Sequence, residues 1–156
     1  MRRQFFIAVG MTLAGVAFAA PVPKSKDIDP GKTWEFPDLE AKGWVKCDSG
    51  LKVWDVKEGE GDAVKAGANV KVNYVGWLTD GTKFDSSIDR KEPFTFGLNL
   101  VIKGWREGMV GMKPGGIRRL TIPSELAYGK NGAGGGQIPG DATLVFVIEY
   151  LGPGDK

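Results

Sequence analysis

The run Asn69-Val70-Lys71-Val72-Asn73-Tyr74-Val75-Gly76-Trp77-Leu78 alternates with a period of two and ends in Thr79-Asp80-Gly81-Thr82. Successive side chains of a strand point to opposite faces, so this alternation marks a strand rather than a helix. Asp80-Gly81 supplies the positive φ values of a tight antiparallel connection, and the chain returns through Lys83-Phe84-Asp85. The hairpin commits the fold to an antiparallel sheet.

Further strands are expected at Leu51 to Val56, Pro93 to Phe96, Gly116 to Ile122 and Ala142 to Leu151. One helix is expected, over Val101 to Met112. Trp105, Met109 and Met112 fall at i, i+4 and i+7 on one apolar face, and Pro114-Gly115-Gly116 stops it. One short helix among antiparallel strands predicts an α+β fold whose sheet buries its apolar face on that helix.

The chain has 156 residues, enough for one domain with its own core. Arg2 and Arg3 precede an apolar run ending in Ala17-Phe18-Ala19, the pattern of a secretory signal peptide over residues 1–19. The twin arginines also fit a twin-arginine export leader. The run is shorter than the ~20 residues a bilayer-spanning helix needs. Cleavage removes two of the 21 basic residues and leaves 19 against 19 acidic ones. A neutral mature chain gives no reason to expect nucleic acid or an anionic membrane as partner. Residues 20–42 are polar and Pro-punctuated, then offer Trp34, Phe36 and Leu39 without periodicity. They predict an extended tail, its aromatic part lying on the surface of a domain that occupies 43–156.

Several chemistries lack their equipment. There is no histidine, and Cys47 is the single cysteine, so no intramolecular disulfide forms. Cys47 is left either buried and inert or pairing between chains. A Ser-His-Asp triad is impossible, and a transition-metal site lacks ligands. Asp85-Ser86-Ser87-Ile88-Asp89 has the alternate oxygens of a calcium loop but no glycine at the sixth position, and reads as a polar turn after a strand. The Gly-rich stretch from Ala127 to Phe146 fits neither phosphate-binding pattern. Gly129-Lys130 is followed by Asn131 with no helix after it, and Gln137 stands where a dinucleotide loop needs its third glycine. The reading therefore calls for no cofactor and no metal.

What remains is aromatic. Tyr74, Phe84, Phe94, Phe96, Trp105, Tyr128 and Phe146 group around turns, with Asp85 after Phe84 and Arg90 five residues on. Strand aromatics often only fill a core. An apolar concavity with a polar pair at its edge is, equally, the form of a binding site.

The run Val72 to Ser87, then Val101-Ile102-Lys103-Gly104-Trp105, Ala127-Tyr128-Gly129, Ile138-Pro139 and Ala142 to Phe146, resembles the FKBP-type peptidyl-prolyl isomerases, motif by motif and in order. The resemblance spans about Gly50 to Leu151. It implies an antiparallel sheet of five to six strands wrapped around one short α-helix. It also implies a proline pocket floored by Trp105 and walled by Tyr74, Phe84, Phe94, Val101, Ile102, Tyr128, Ile138 and Phe146. Asp85 matches the family's acidic residue beside the pocket and Arg90 the basic residue that orients it. The Ile102 N–H and the Tyr128 hydroxyl match groups that bond ligand carbonyls, and Tyr74, Asp85, Tyr128 and Phe146 carry the catalytic assignment. The implied partners are X-Pro segments of folding proteins and macrolide inhibitors. A monomer is the default, since the tail is too short for the helical dimerisation domain of some exported members. A non-catalytic chaperone or adaptor using the same groove is the alternative.

Overall fold

The structure, a computed structural model, describes residues 32–155. The leader expected at 1–19 and the first part of the expected tail, 20–31, lie outside the described residues.

The strands are β1 (Val45–Lys46), β2 (Lys52–Lys57), β3 (Asn69–Leu78), β4 (Lys83–Ser86), β5 (Phe94–Gly97), β6 (Ile117–Ile122) and β7 (Leu144–Pro153). They form one antiparallel sheet in the order β1-β2-β6-β7-β3-β4, with β5 also paired to β3. Two α-helices, α1 (Ser87–Arg90) and α2 (Lys103–Gly108), and several short 3-10 turns complete the described residues. The expected α+β architecture is present, its sheet wrapped around α2, but with seven strands rather than five to six, the two-residue β1 adding itself to the edge of β2.

The long alternating strand is central. β7 pairs with β3 from Val70↔Pro153 to Leu78↔Leu144, while its other edge is divided between β5, opposite Asn69 to Val72, and β4, opposite Val75 to Trp77. At the division the Tyr74 N–H donates to Ser87 Oγ at 2.8 Å, so the side chain replaces a missing strand neighbour. A buried backbone donor left unpaired would be costly, and Ser87 is fully buried. The expected polar turn after β4 is thus the single turn α1, with the Ser86 side chain accepting from Asp89 N–H at its start.

The helix is shorter than Val101 to Met112. α2 ends at Gly108, and Gly111 has φ +90°. Glycine is a poor helix residue, and here the chain beyond it has a better use: Gly111 N–H donates to Val64 O at 2.9 Å and Met112 O accepts from Val64 N–H at 2.8 Å. Trp105, Met109 and Met112 are nonetheless all buried. Glycines also let α2 sit close to β6. A Cβ at Gly104 would lie 2.4 Å from Ile122 Cγ2, and one at Gly108 2.7 Å from Leu120 Cδ1.

On this inner face Arg118 is almost enclosed. It forms a bidentate ion pair with Asp55 of β2 and donates to the carbonyls of Gly108 and Val110, at 2.8 and 3.2 Å. One guanidinium thereby ties β2 and β6 to the end of α2. The outer face carries Val75, Trp77, Val145 and Val147, all buried, with Trp34, Leu39, Ile88 and Ile117 packed on them. Phe36 meets Trp77 edge-on at 5.8 Å and Trp44 meets Trp54 at 5.6 Å, so the stretch from Trp34 to Trp44 lies across the back of the sheet.

Candidate functional site: an aromatic well on the concave face

Tyr74 on β3, Trp105 on α2 and Phe146 on β7 are mutually in contact, with ring centroids 5.2 Å apart for Tyr74–Trp105 and Trp105–Phe146 and 6.4 Å for Tyr74–Phe146. Phe84 on β4 meets Phe146 edge-on at 5.7 Å, and Phe94 on β5 lies 6.0 Å from Tyr74. Four strands and one helix thus bring together aromatics spread over more than 70 residues of sequence. Gly76 makes room for them: a Cβ there would stand 2.6 Å from Phe146 Cε1 and 2.9 Å from Phe84 Cζ.

Val101, Ile102 and Phe84 are partly buried against the same cluster, and Ile138 is buried within it. Ile138 is positioned by a two-bond bridge with Ala133, at 2.9 and 3.0 Å, in a connection between β6 and β7 that also holds three short 3-10 turns. Phe94 and Tyr128 are more open, at 40% and 43% exposure, and Leu100 is 85% exposed. Ile102 precedes α2. Its carbonyl accepts from Trp105 and Arg106 N–H, and its own N–H has no acceptor among the described residues.

Phe96 was absent from the site expected by resemblance. It stacks on Phe94 at 4.7 Å and meets Trp105 at 5.4 Å. Its signal in the sequence is its spacing of two from Phe94, which places both on one face of β5.

The polar edge is a three-membered network. Tyr74 Oη donates to Asp85 Oδ2 at 2.5 Å, Arg90 pairs with Asp85 Oδ1, and Arg90 Nη2 donates to Tyr74 Oη at 3.1 Å. The guanidinium also lies 5.7 Å from the Tyr74 ring centre. The single turn α1 is what folds Arg90 back over Asp85, whose Oδ1 further accepts from Ser86 N–H at 2.9 Å. Burial, then the Asp85 bond, push the Tyr74 phenol up to about 12. Tyr128 is raised by burial, then by the Asp85 charge; Tyr150 is raised by burial, then by Asp62.

These are the chain's three tyrosines. Absorbance titration of the folded protein is therefore expected to show no half-ionisation at pH 10, the value for free tyrosine. Because the folded values lie above the unfolded one, the stability they contribute is complete below about pH 10 and, for Tyr74, lost as pH rises through about 12. Half-ionisation of Tyr74 at pH 10 in the native protein would contradict its burial and its bond to Asp85.

An antiparallel sheet closed on one short helix thus sets a cluster of aromatic rings beside a carboxylate that is bonded to Tyr74 and paired with Arg90. Residues 60–151 match the FKBP-type peptidyl-prolyl cis-trans isomerases, and the chain belongs to that family. Its activity is peptidyl-prolyl isomerisation, on proline-containing substrates. An FK506-binding protein of Neisseria meningitidis serogroup B is 55% identical over 104 residues, which cover 65% of this chain and 94% of that protein. FkpA of Aeromonas hydrophila, named an FKBP-type peptidyl-prolyl cis-trans isomerase, is 48% identical over 121 residues, 78% of this chain but 44% of that longer protein. Among solved structures, FkpA from Escherichia coli aligns with a TM-score of 0.69 and 46% identity, covering 74% of this chain and 53% of that one. AtFKBP13 aligns with a TM-score of 0.64 and 43% identity over 70% of this chain and 98% of that one.

Proposed function

We propose that the chain accelerates cis/trans exchange at X-Pro bonds of proteins folding after export, with the aromatic well as the proline site. The observation that carries this is the contact of Tyr74, Trp105 and Phe146 beside a carboxylate already held by Tyr74 and Arg90.

Rotation about a peptide C–N bond faces a barrier of ~18–20 kcal/mol, because resonance gives that bond double-bond character. X-Pro bonds populate both isomers and exchange over tens of seconds or longer. A twisted amide has lost its resonance and much of its carbonyl dipole, so a dry apolar well favours it over the planar amide. In this reading the proline ring rests on Trp105 between Tyr74, Phe84, Phe94, Val101, Ile138 and Phe146. The unpaired Ile102 N–H and the Tyr128 hydroxyl bond the flanking carbonyls, and Asp85, oriented by Arg90, stands as a fixed negative charge beside the ring. No nucleophile or proton shuttle takes part.

A cis-to-trans assay on short X-Pro peptides with the chain starting at Ala20 is expected to show acceleration. Asp85→Leu removes the charged acceptor that holds the Tyr74 hydroxyl and Arg90 at the edge of the well, and should lower kcat/KM by about 10- to 100-fold, the range for a hydrogen bond to a charged group. Phe146→Ala should also be impaired. Absence of acceleration by the unaltered protein across several residues before proline would remove the enzymatic reading. The exposed Leu100, Phe94 and Tyr128 at the rim would then favour the chaperone or adaptor, which binds apolar or Pro-containing segments without turnover. Macrolide inhibitors are proposed ligands of the same well, and the protein is proposed to act as a monomer.

Export rests on the leader pattern in residues 1–19. Sequencing of the mature N-terminus is expected to begin at Ala20; a start at Met1 in a cytoplasmic fraction would refute it.

A further inference from the structure

The connection from Ala127 to Asp141 carries Tyr128 and Ile138, two walls of the well, and apart from the packing of Ala127, Ala133 and Ile138 on the core it has few hydrogen bonds to the rest of the molecule. Gly129, Gly132, Gly134, Gly135 and Gly136 all have positive φ and no side chain to anchor the backbone. Among the described residues its backbone hydrogen bonds stay within positions 124–141: Ala127 N–H to Ser124 O, Ala133 to and from Ile138, Gln137 N–H to Gly134 O, Asp141 N–H to Gly129 O. Among the described residues one hydrogen bond leaves it, from Gln137 Nε2 to the carbonyl of Phe84 on β4, at 3.1 Å.

The acceptor is an unusual one. β3 and β4 pair Gly76 with Asp85 and Trp77 with Lys83, so Phe84 is an extra residue with no register partner. A bulge of this kind breaks the ladder locally and re-aims a side chain. Here the Phe84 ring meets Phe146 in the well while its carbonyl meets the loop amide.

We propose that Gln137 is a positioning residue for the isomerisation assigned above, an amide latch that joins the loop to the bulge and holds Ile138 and Tyr128 at their distance from Phe84 and Asp85. The inference rests on that functional reading. Its geometric part is separable from it, because the latch either restrains the loop or does not, whatever the protein catalyses.

The test compares the mature chain with Gln137→Met, which keeps the length of the side chain and removes the donor, and Gln137→Lys, which restores an N–H donor. With X-Pro peptides the Met variant is expected to raise KM about two- to tenfold, the range of one net hydrogen bond, with kcat within twofold. The Lys variant should stay within twofold of the unaltered protein in both. Hydrogen exchange should show the Ala133 and Ile138 amides opening faster in the Met variant, with the β3 and β7 amides unchanged.

Unchanged exchange at those two amides in Gln137→Met overturns the proposal, as does an equal rise of KM in the Met and Lys variants. A uniform loss of protection through β3 and β7 would make Gln137 a general stabilising residue and would overturn it too. Faster loop exchange in a protein without turnover would keep the latch and remove the proposed function instead.

Discussion

Trp105→Ala is expected to cost about 3–5 kcal/mol of stability, the usual range for truncating a buried large aromatic, and to lower kcat/KM by about 10- to 100-fold, from the 1.5–3 kcal/mol that burial of an apolar group contributes. Trp105 is 4% exposed and touches Tyr74, Phe96 and Phe146, so its loss opens a cavity under three rings at once. The stability part is read from the denaturant midpoint and the activity part from peptide assays at temperatures where the variant remains folded. Trp105→Phe separates the two effects. The indole Nε1 is buried with no acceptor among the described residues. Phenylalanine keeps a ring on the floor and removes that unpaired donor, which offsets part of the lost contact. The Phe variant should therefore lose far less stability than the Ala variant. Equal losses in both would show that the indole itself, rather than a flat apolar floor, holds the fold.

Arg118→Met is expected to destabilise by about 3 kcal/mol and to lower Tm by roughly 10 °C. The guanidinium side chain is 7% exposed and Asp55 24%, so removal strands a mostly buried carboxylate together with two carbonyls at the end of α2. Asp55 retains some contact with water, which keeps the loss at the low end of the range for broken buried pairs. The double change Asp55→Leu with Arg118→Met is expected to recover part of the loss, since a buried ion pair is often no more stabilising than well-packed apolar residues. Thermal unfolding of the two variants decides this. A double variant as unstable as Arg118→Met alone would locate the contribution in the bonds to Gly108 and Val110 instead. α2 is only six residues long and carries Trp105, so loosening its end also threatens the well.

Much of this architecture is legible one segment at a time. The alternation in Asn69–Leu78 survives as β3 with the expected bounds, because the period of a strand is written in its own residues. Val70, Val72 and Tyr74 face the inner cluster while Lys71 and Asn73 do not. From Tyr74 to Trp77 the alternation of burial disappears, since the stretch from Trp34 to Trp44 covers the outer face. No pattern within β3 could announce that cover. The helix was legible by its apolar face and overextended by the same criterion: Met109 and Met112 are buried beyond the helix proper, where Gly111 and Met112 bond to Val64.

For the candidate site, the residue types were legible and their connections were not. The lack of histidine, the excess of aromatics around turns and the acidic residue after Phe84 narrow the chemistry to an apolar well with a polar edge, and the ordered motifs point to one family. That Arg90 reaches back to Asp85 and to the Tyr74 hydroxyl depends on α1, the single turn that connects β4 to β5 where β3 changes partner between them. That Phe84 carries a free register position, filled from 53 residues away by Gln137, depends on a bulge between two strands.

The division has a physical reason. Periodicity, turn chemistry and the choice of apolar, aromatic or charged residue are local properties, carried by each segment before it meets another. Register, bulges and the identity of backbone groups left without a partner exist only once strands are paired, and in this chain those leftover groups, the Tyr74 N–H taken by Ser87 and the Phe84 carbonyl taken by Gln137, determine how the walls of the well are held.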